Sequence, residues 1–170
     1  IFLRFTPEEK KEHALTQLFQ HYQSIAGVVP QEASELYPDI LSIVNSLPVE
    51  RQVALIPQLQ QINPRALNDL ALETREAYQE KVRGIQDRHA GLYASSCRTR
   101  DGLYARIEAI RNPRDEKDAV EAISRELGAL RQTLLTHISD VKHYAPHLAL
   151  WQLNQLHQQL MTGEKVQQLQ

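Results

Sequence analysis

Residues 119–141, AVEAISRELGALRQTLLTHISDV, set apolar side chains at Val120, Ile123, Leu127, Leu130, Leu134, Ile138 and Val141. Steps of three and four residues mark one face of a 3.6-residue helix, and such a narrow seam has to be covered. The seam lasts about three heptads, near the lower limit for a self-standing coiled coil. His137 stands where the heptad after Leu130 calls for an apolar residue, and Gly128 lies beside the seam. The nearest cover is therefore the chain's own neighbouring helices. The expectation is that this coiled-coil-like seam faces a helix at about 65–111 and the helix carrying Trp151, as core rather than as a binding surface.

Working outward, helix signals recur on both sides. Thr6-Pro7-Glu8-Glu9 offers a capping residue, a proline suited to the first helical position and a capping-box Glu. Leu15, Leu18, Phe19, Tyr22 and Ile25 follow at helical spacing until Gly27 and Pro30 close the helix. Pro38, Pro48, Pro57 and Pro64 then punctuate the chain. Proline is poorly tolerated inside helices, so short helices are expected at 38–46 and 48–62, the second kinked or split at Pro57. The spacing loosely suggests a helical repeat, but the segments share nothing beyond proline and aliphatics.

A long helix is expected to open at Asn63-Pro64, with Leu67, Leu70, Ala71, Tyr78, Val82, Ile85, His89 and Leu92 as its stripe. The stretch YASSCRTRDG, 93–102, lacks large aliphatics, but Leu103, Ile107 and Ile110 resume in phase, which favours a continuous helix. Asn112-Pro113 stops it, the seam helix follows at about 115–143, and Pro146 starts the last. There Leu148, Leu150, Trp151, Leu153, Leu156 and Leu160 are expected to be buried, with Gly163 as the stop and residues 164–170 frayed. No alternating strand pattern occurs. The fold class expected is all-α: an antiparallel bundle of two or three long helices plus a cluster of shorter proline-punctuated ones. One helical domain over 1–170 is expected, with short helices in 1–63 and the long-helix bundle in 64–163.

A hydrophobic share of 42% with 24% charged residues suits a folded chain and excludes a disordered one. A net charge of -2 gives no general drive towards nucleic acid or membrane. No apolar run reaches the roughly 20 residues that span a bilayer. IFLRFTPEEKK lacks the basic region, apolar core and cleavage site of a signal peptide. The absent initiator Met suggests a segment of a longer protein or a processed chain. A single cysteine permits no internal disulfide and fits a cytoplasmic setting.

Charge is uneven. Lys81, Arg83, Arg88, Arg98, Arg100, Arg106, Arg111, Arg114 and Lys117 concentrate in 81–117, whereas residues 1–80 are acidic in balance. This segment is the candidate surface for an anion or a partner, although Asp87, Asp101, Glu108, Asp115 and Glu116 dilute it and the basic groups spread around the helix. No aromatic run suited to base stacking accompanies it, which argues against nucleic acid.

Other candidates have plainer readings. His143 and His147 straddle Pro146, with His137 and His157 on either side, and no cysteine or Glu-x-x-His supplies further ligands; no metal and no cofactor is expected. Cys97 lies near Arg98 and Arg100, which favour a thiolate, but a nucleophile needs a histidine and His89 is two turns back. Glu8-Glu9 and Asp115-Glu116 suit helix starts. No catalytic motif is visible, so no catalytic residues are assigned and an enzyme with a dispersed site is the weakest of three readings. The first is a non-enzymatic helical protein–protein interaction module; the second is a phosphoinositide- or anionic-membrane-binding domain using 81–117. In composition, LNQLHQQLM (153–161) resembles helical segments of secreted bacterial effectors, a resemblance that implies action in a host cytosol.

Overall fold

A computed structural model describes residues 6–169. Among them the protein is all-helical, with no strand: α1 (Pro7–Ile25), α2 (Pro30–Asn45), α3 (Val49–Ile62), a 3-10 turn (Ala66–Asp69), α4 (Leu72–Ala109), α5 (Lys117–Tyr144), α6 (Trp151–Thr162) and α7 (Glu164–Gln167). Among the described residues no helix is long and apolar enough to cross a membrane. The chain divides into two compact units within α4, between Lys81 and Val82.

In the first unit, α1 starts as its sequence dictates. The Thr6 hydroxyl accepts from the Glu9 amide at 3.1 Å while the Glu9 carboxylate accepts from the Thr6 amide at 3.1 Å. The helix expected at 38–46 begins earlier, at Pro30, and Pro38 lies inside it. Pro30 occupies the first turn, where a missing N–H costs nothing, and burial of Ala33, Ile40 and Val44 outweighs the bond lost at Pro38. Pro57 likewise sits inside an unbroken α3, whose Val53, Leu55, Ile56 and Leu59 are buried. The long helix does not open at Asn63-Pro64. The Asn63 side chain accepts from the Arg65 amide at 3.0 Å, and the 3-10 turn lets Ala66 and Leu70 drop into the core before α4 begins.

A buried polar clamp ties this unit together. Gln52, 6% exposed, donates to the Leu47 carbonyl at 2.8 Å and accepts from the Thr74 hydroxyl at 2.8 Å. Thr74 belongs to the first turn of α4, so within this unit the clamp ties the start of that helix to α3 and to the loop before α3. At the surface, Arg51 grips Glu12 at 2.7 and 3.0 Å and holds the Glu12 carboxyl below its ordinary range. Tyr37 donates to Asp69 at 2.6 Å; burial, and then that carboxylate, push its phenol up to about 12.

In the second unit α4 continues without a break through 93–102. A compact connection follows, in which the Glu116 carboxylate accepts from the Arg111 and Asn112 amides at 2.9 and 3.0 Å. The α5 seam then packs as expected: Ile123, Leu127, Leu130, Leu134 and Ile138 meet Leu103 and Ile107 of α4 and Leu153, Leu156 and Leu160 of α6. Val141 joins Ile85 and Ala145 in an adjoining cluster, and Val120 is half-buried at the seam's start.

Trp151 corrects the reading of the last helix. Pro146 lies in a turn, α6 begins at Trp151, and the indole is 62% exposed. The buried stripe of α6 runs 153, 156, 160, and two residues before Leu153 is about 200° around the helix, on the opposite face. The segment expected to fray holds the short α7, with Val166 buried against the core and Lys165 paired to Glu108. Arg131 of α5 donates to the Leu160 carbonyl at 2.7 Å, satisfying an end of α6.

The clamp gives a stability test. Thr74→Val leaves the Gln52 carbonyl buried without its donor and should cost about 1–3 kcal/mol in denaturant unfolding. Gln52→Leu combined with Thr74→Val should cost less than the sum of the two single changes, because neither partner is then orphaned.

Candidate functional site

The segment 93–102 that lacks large aliphatics forms a wall of a groove. Leu92, Ser95, Ser96, Thr99, Gly102, Leu103 and Arg106 of α4 face Glu126, Ala129, Leu130 and Thr133 of α5 across a space of about 520 Å³. A second space of about 410 Å³ shares Leu92, Ala129 and Thr133 and extends the groove to Arg88, Gln132, Thr136 and His137. From Arg88 to Arg106 the groove follows ~27 Å of helix axis.

Side-chain size explains the groove. Beside the leucine and isoleucine contacts between α4 and α5, Ser95, Thr99, Gly102 and Ala129 are too short to fill the space between the helices. Their hydroxyls are already spent on their own helices: Ser95 donates to the Leu92 carbonyl at 3.1 Å, Thr99 to that of Ser95 at 3.1 Å, and Thr133 to that of Ala129 at 3.0 Å. The surface is therefore mainly hydrocarbon, edged by satisfied hydroxyls. Arg106 pairs with Glu126 at one end. Arg88, at the other, is exposed and makes no ion pair among the described residues.

The nine basic candidates take different places in the fold. Arg88 and Arg106 reach the groove. Arg100 turns to α6, donating to Asp101 at 3.0 Å and Gln159 at 3.1 Å. Lys81 falls in the first unit, whereas Arg83, Arg98, Arg111, Arg114 and Lys117 are exposed in the second.

Beside the groove, at its Arg88 end, α4 and α5 bring together two histidines that were read separately. His89 Nδ1 and His137 Nε2 are 2.9 Å apart, with rings 5.2 Å between centroids and inclined by 20°. His137 is 2% exposed, and its Nδ1 has no hydrogen-bond partner. Burial, followed by the charges of His89 and Arg88, holds His137 below the ordinary histidine range. His143 instead stacks edge-on against Tyr144, with centroids 4.6 Å apart. Among the described residues no three His, Cys, Asp or Glu side chains gather to hold a metal ion. Cys97 is half-buried against the α4–α5–α6 core, and its hydrogen bond is the first cause raising the Tyr93 phenol.

Neither the groove nor the histidine pair was read from the sequence. The missing aliphatics of 93–102 were the one signal for the groove. The pair rests on a register between two helices that no local pattern reports. Comparison with known protein families, curated proteins and solved structures gave no match to any of them.

The glycines of the groove helices carry a prediction. A Cβ on Gly102 meets nothing within 4 Å, and Gly91 and Gly128 are equally open. Gly102→Ala should therefore stabilise α4 by about 0.5–1 kcal/mol, read as a raised thermal midpoint, because only backbone entropy changes.

Proposed function

We propose that this protein is a non-enzymatic helical interaction module whose second unit, an antiparallel helical bundle, receives a helix of another protein in the α4–α5 groove. The observation that carries this reading is the groove itself: an exposed trough between two long helices, walled by short side chains and ending at an arginine with no ion pair among the described residues. Short side chains allow a partner backbone to come close, and ~27 Å accommodates about 18 residues of helix. The partner's chemistry follows. It presents small apolar residues to Ser95, Thr99 and Ala129, and a carboxylate to the guanidinium of Arg88. A cytoplasmic setting belongs to the same proposal, on the strength of the one free cysteine. The competing reading, an anionic membrane surface over 81–117, shares Arg88 but needs no groove.

The test uses the chain as bait, with chemical cross-linking to locate what binds. A captured protein should cross-link to α4 and α5 through an acid-bearing helix. Ala129→Trp fills the groove from an exposed position and should abolish capture. Arg88→Glu should weaken it by about tenfold or more, the value of a charge-assisted hydrogen bond. Capture that survives both substitutions overturns the reading. So does retention on anionic vesicles that near-molar salt abolishes while no protein cross-links to the groove.

A further inference from the structure

Between the two apolar clusters joining α4 to α5 stands the pair His89 and His137. Ile85 and Val141 pack on one side of it along the helices, and Leu130 and Leu134 on the other. A histidine inside such packing is costly unless bonded, and the 2.9 Å contact supplies that bond. We infer that the His89–His137 pair is a proton-operated latch between α4 and α5, closed while His137 is neutral and opened when it takes up a proton.

The chemistry follows from counting protons. A neutral imidazole has one N–H and one bare nitrogen, so one ring donates and the other accepts across the 2.9 Å gap. A proton taken up by His137 turns a nearly fully buried ring into a cation, and its Nδ1–H has no acceptor in the fold. Where the facing nitrogen of His89 also carries hydrogen, neither nitrogen can accept and the bond becomes a repulsion. The charged and titratable groups bearing on His137 are His89 and Arg88 from α4 and Asp140 from its own helix. Arg88 adds to the repulsion and Asp140 opposes it. His137 Nδ1 has no partner inside the fold to share the extra charge.

The direction of the pH effect is fixed. The folded state holds His137 below the ordinary histidine pKa of about 6.5, so in the window beneath that value the opened state binds more protons. Stability of the α4–α5 contact is full above about 6.5 and is lost as pH falls. One linked proton changes the opening equilibrium by up to tenfold per pH unit. The latch stands whether or not the groove takes a partner.

Amide hydrogen exchange, corrected for intrinsic rates, tests it on the intact chain at about pH 7.5 and about pH 5. In the wild type, amides of α5 around Leu134–Val141 and of α4 around Ile85–Leu92 should open about tenfold or more at the lower pH. His137→Phe, which fills the site without a titrating group, should respond far less. If that variant does not fold, His89→Gln serves: its amide still donates to His137 but carries no charge, so opening should move to lower pH. An imidazole titration of the wild type by NMR needs no variant, and should show His137 protonating together with shifts in the Leu134 and Val141 methyls. Equal acid responses in wild type and variants, or His137 titrating with no change in exchange, would overturn the latch.

Discussion

The second unit depends on covering one narrow apolar seam. α5 is 28 residues long, and its Ile123, Leu127, Leu130, Leu134, Ile138 and Val141 are all buried. Each such side chain left in water would forgo about 1.5–3 kcal/mol, several times what helix propensity offers over the same residues. The seam therefore dictates where its neighbours go. α4 supplies Leu103 and Ile107, and α6 supplies Leu153, Leu156 and Leu160. The exposure of Trp151 follows: α6 is oriented by its leucine stripe, and the largest side chain of the helix lies off that stripe.

Two covering helices do not enclose the third. Beside that cover, α4 faces α5 with serine, threonine and glycine, and a trough is left open. Core and candidate site thus arise from one arrangement, since the residues that fail to fill space on one side are those that would admit a partner. The same register explains the histidine pair. The pairing of α4 and α5 that sets Arg106 against Glu126 also brings His89 to His137. One side chain there is almost wholly buried and keeps a nitrogen unpartnered, so this stretch of the interface responds to protons as the aliphatic stretches do not.

What the sequence made legible was local and periodic. The α5 seam, the Thr6–Glu9 capping box and the unbroken passage of α4 through 93–102 all follow from spacing within one helix. Expectation and structure part where tertiary burial outweighs a local rule. Pro38 and Pro57 lie inside helices because Ile40, Val44, Ile56 and Leu59 anchor the turns around them. Asn63-Pro64 forms a turn because Ala66 and Leu70 are pulled into the core. The Gln52–Thr74 clamp joins residues far apart in sequence, and neither type signals burial. The spread of the basic run 81–117 around its helix was legible from the spacing, but which member meets which neighbour was not. On the folded helix Arg88 and Arg106 turn to the groove and Arg100 turns to α6.

The central claim is that the α5 seam is covered by its own chain rather than by a second copy. Amide hydrogen exchange of α5 at neutral pH, followed over a hundredfold dilution, reads this most directly. An intramolecular cover is unimolecular, so protection at Leu127, Leu130 and Leu134 should not change with concentration. Protection that falls on dilution would mean that another molecule supplies the cover, and would contradict the account.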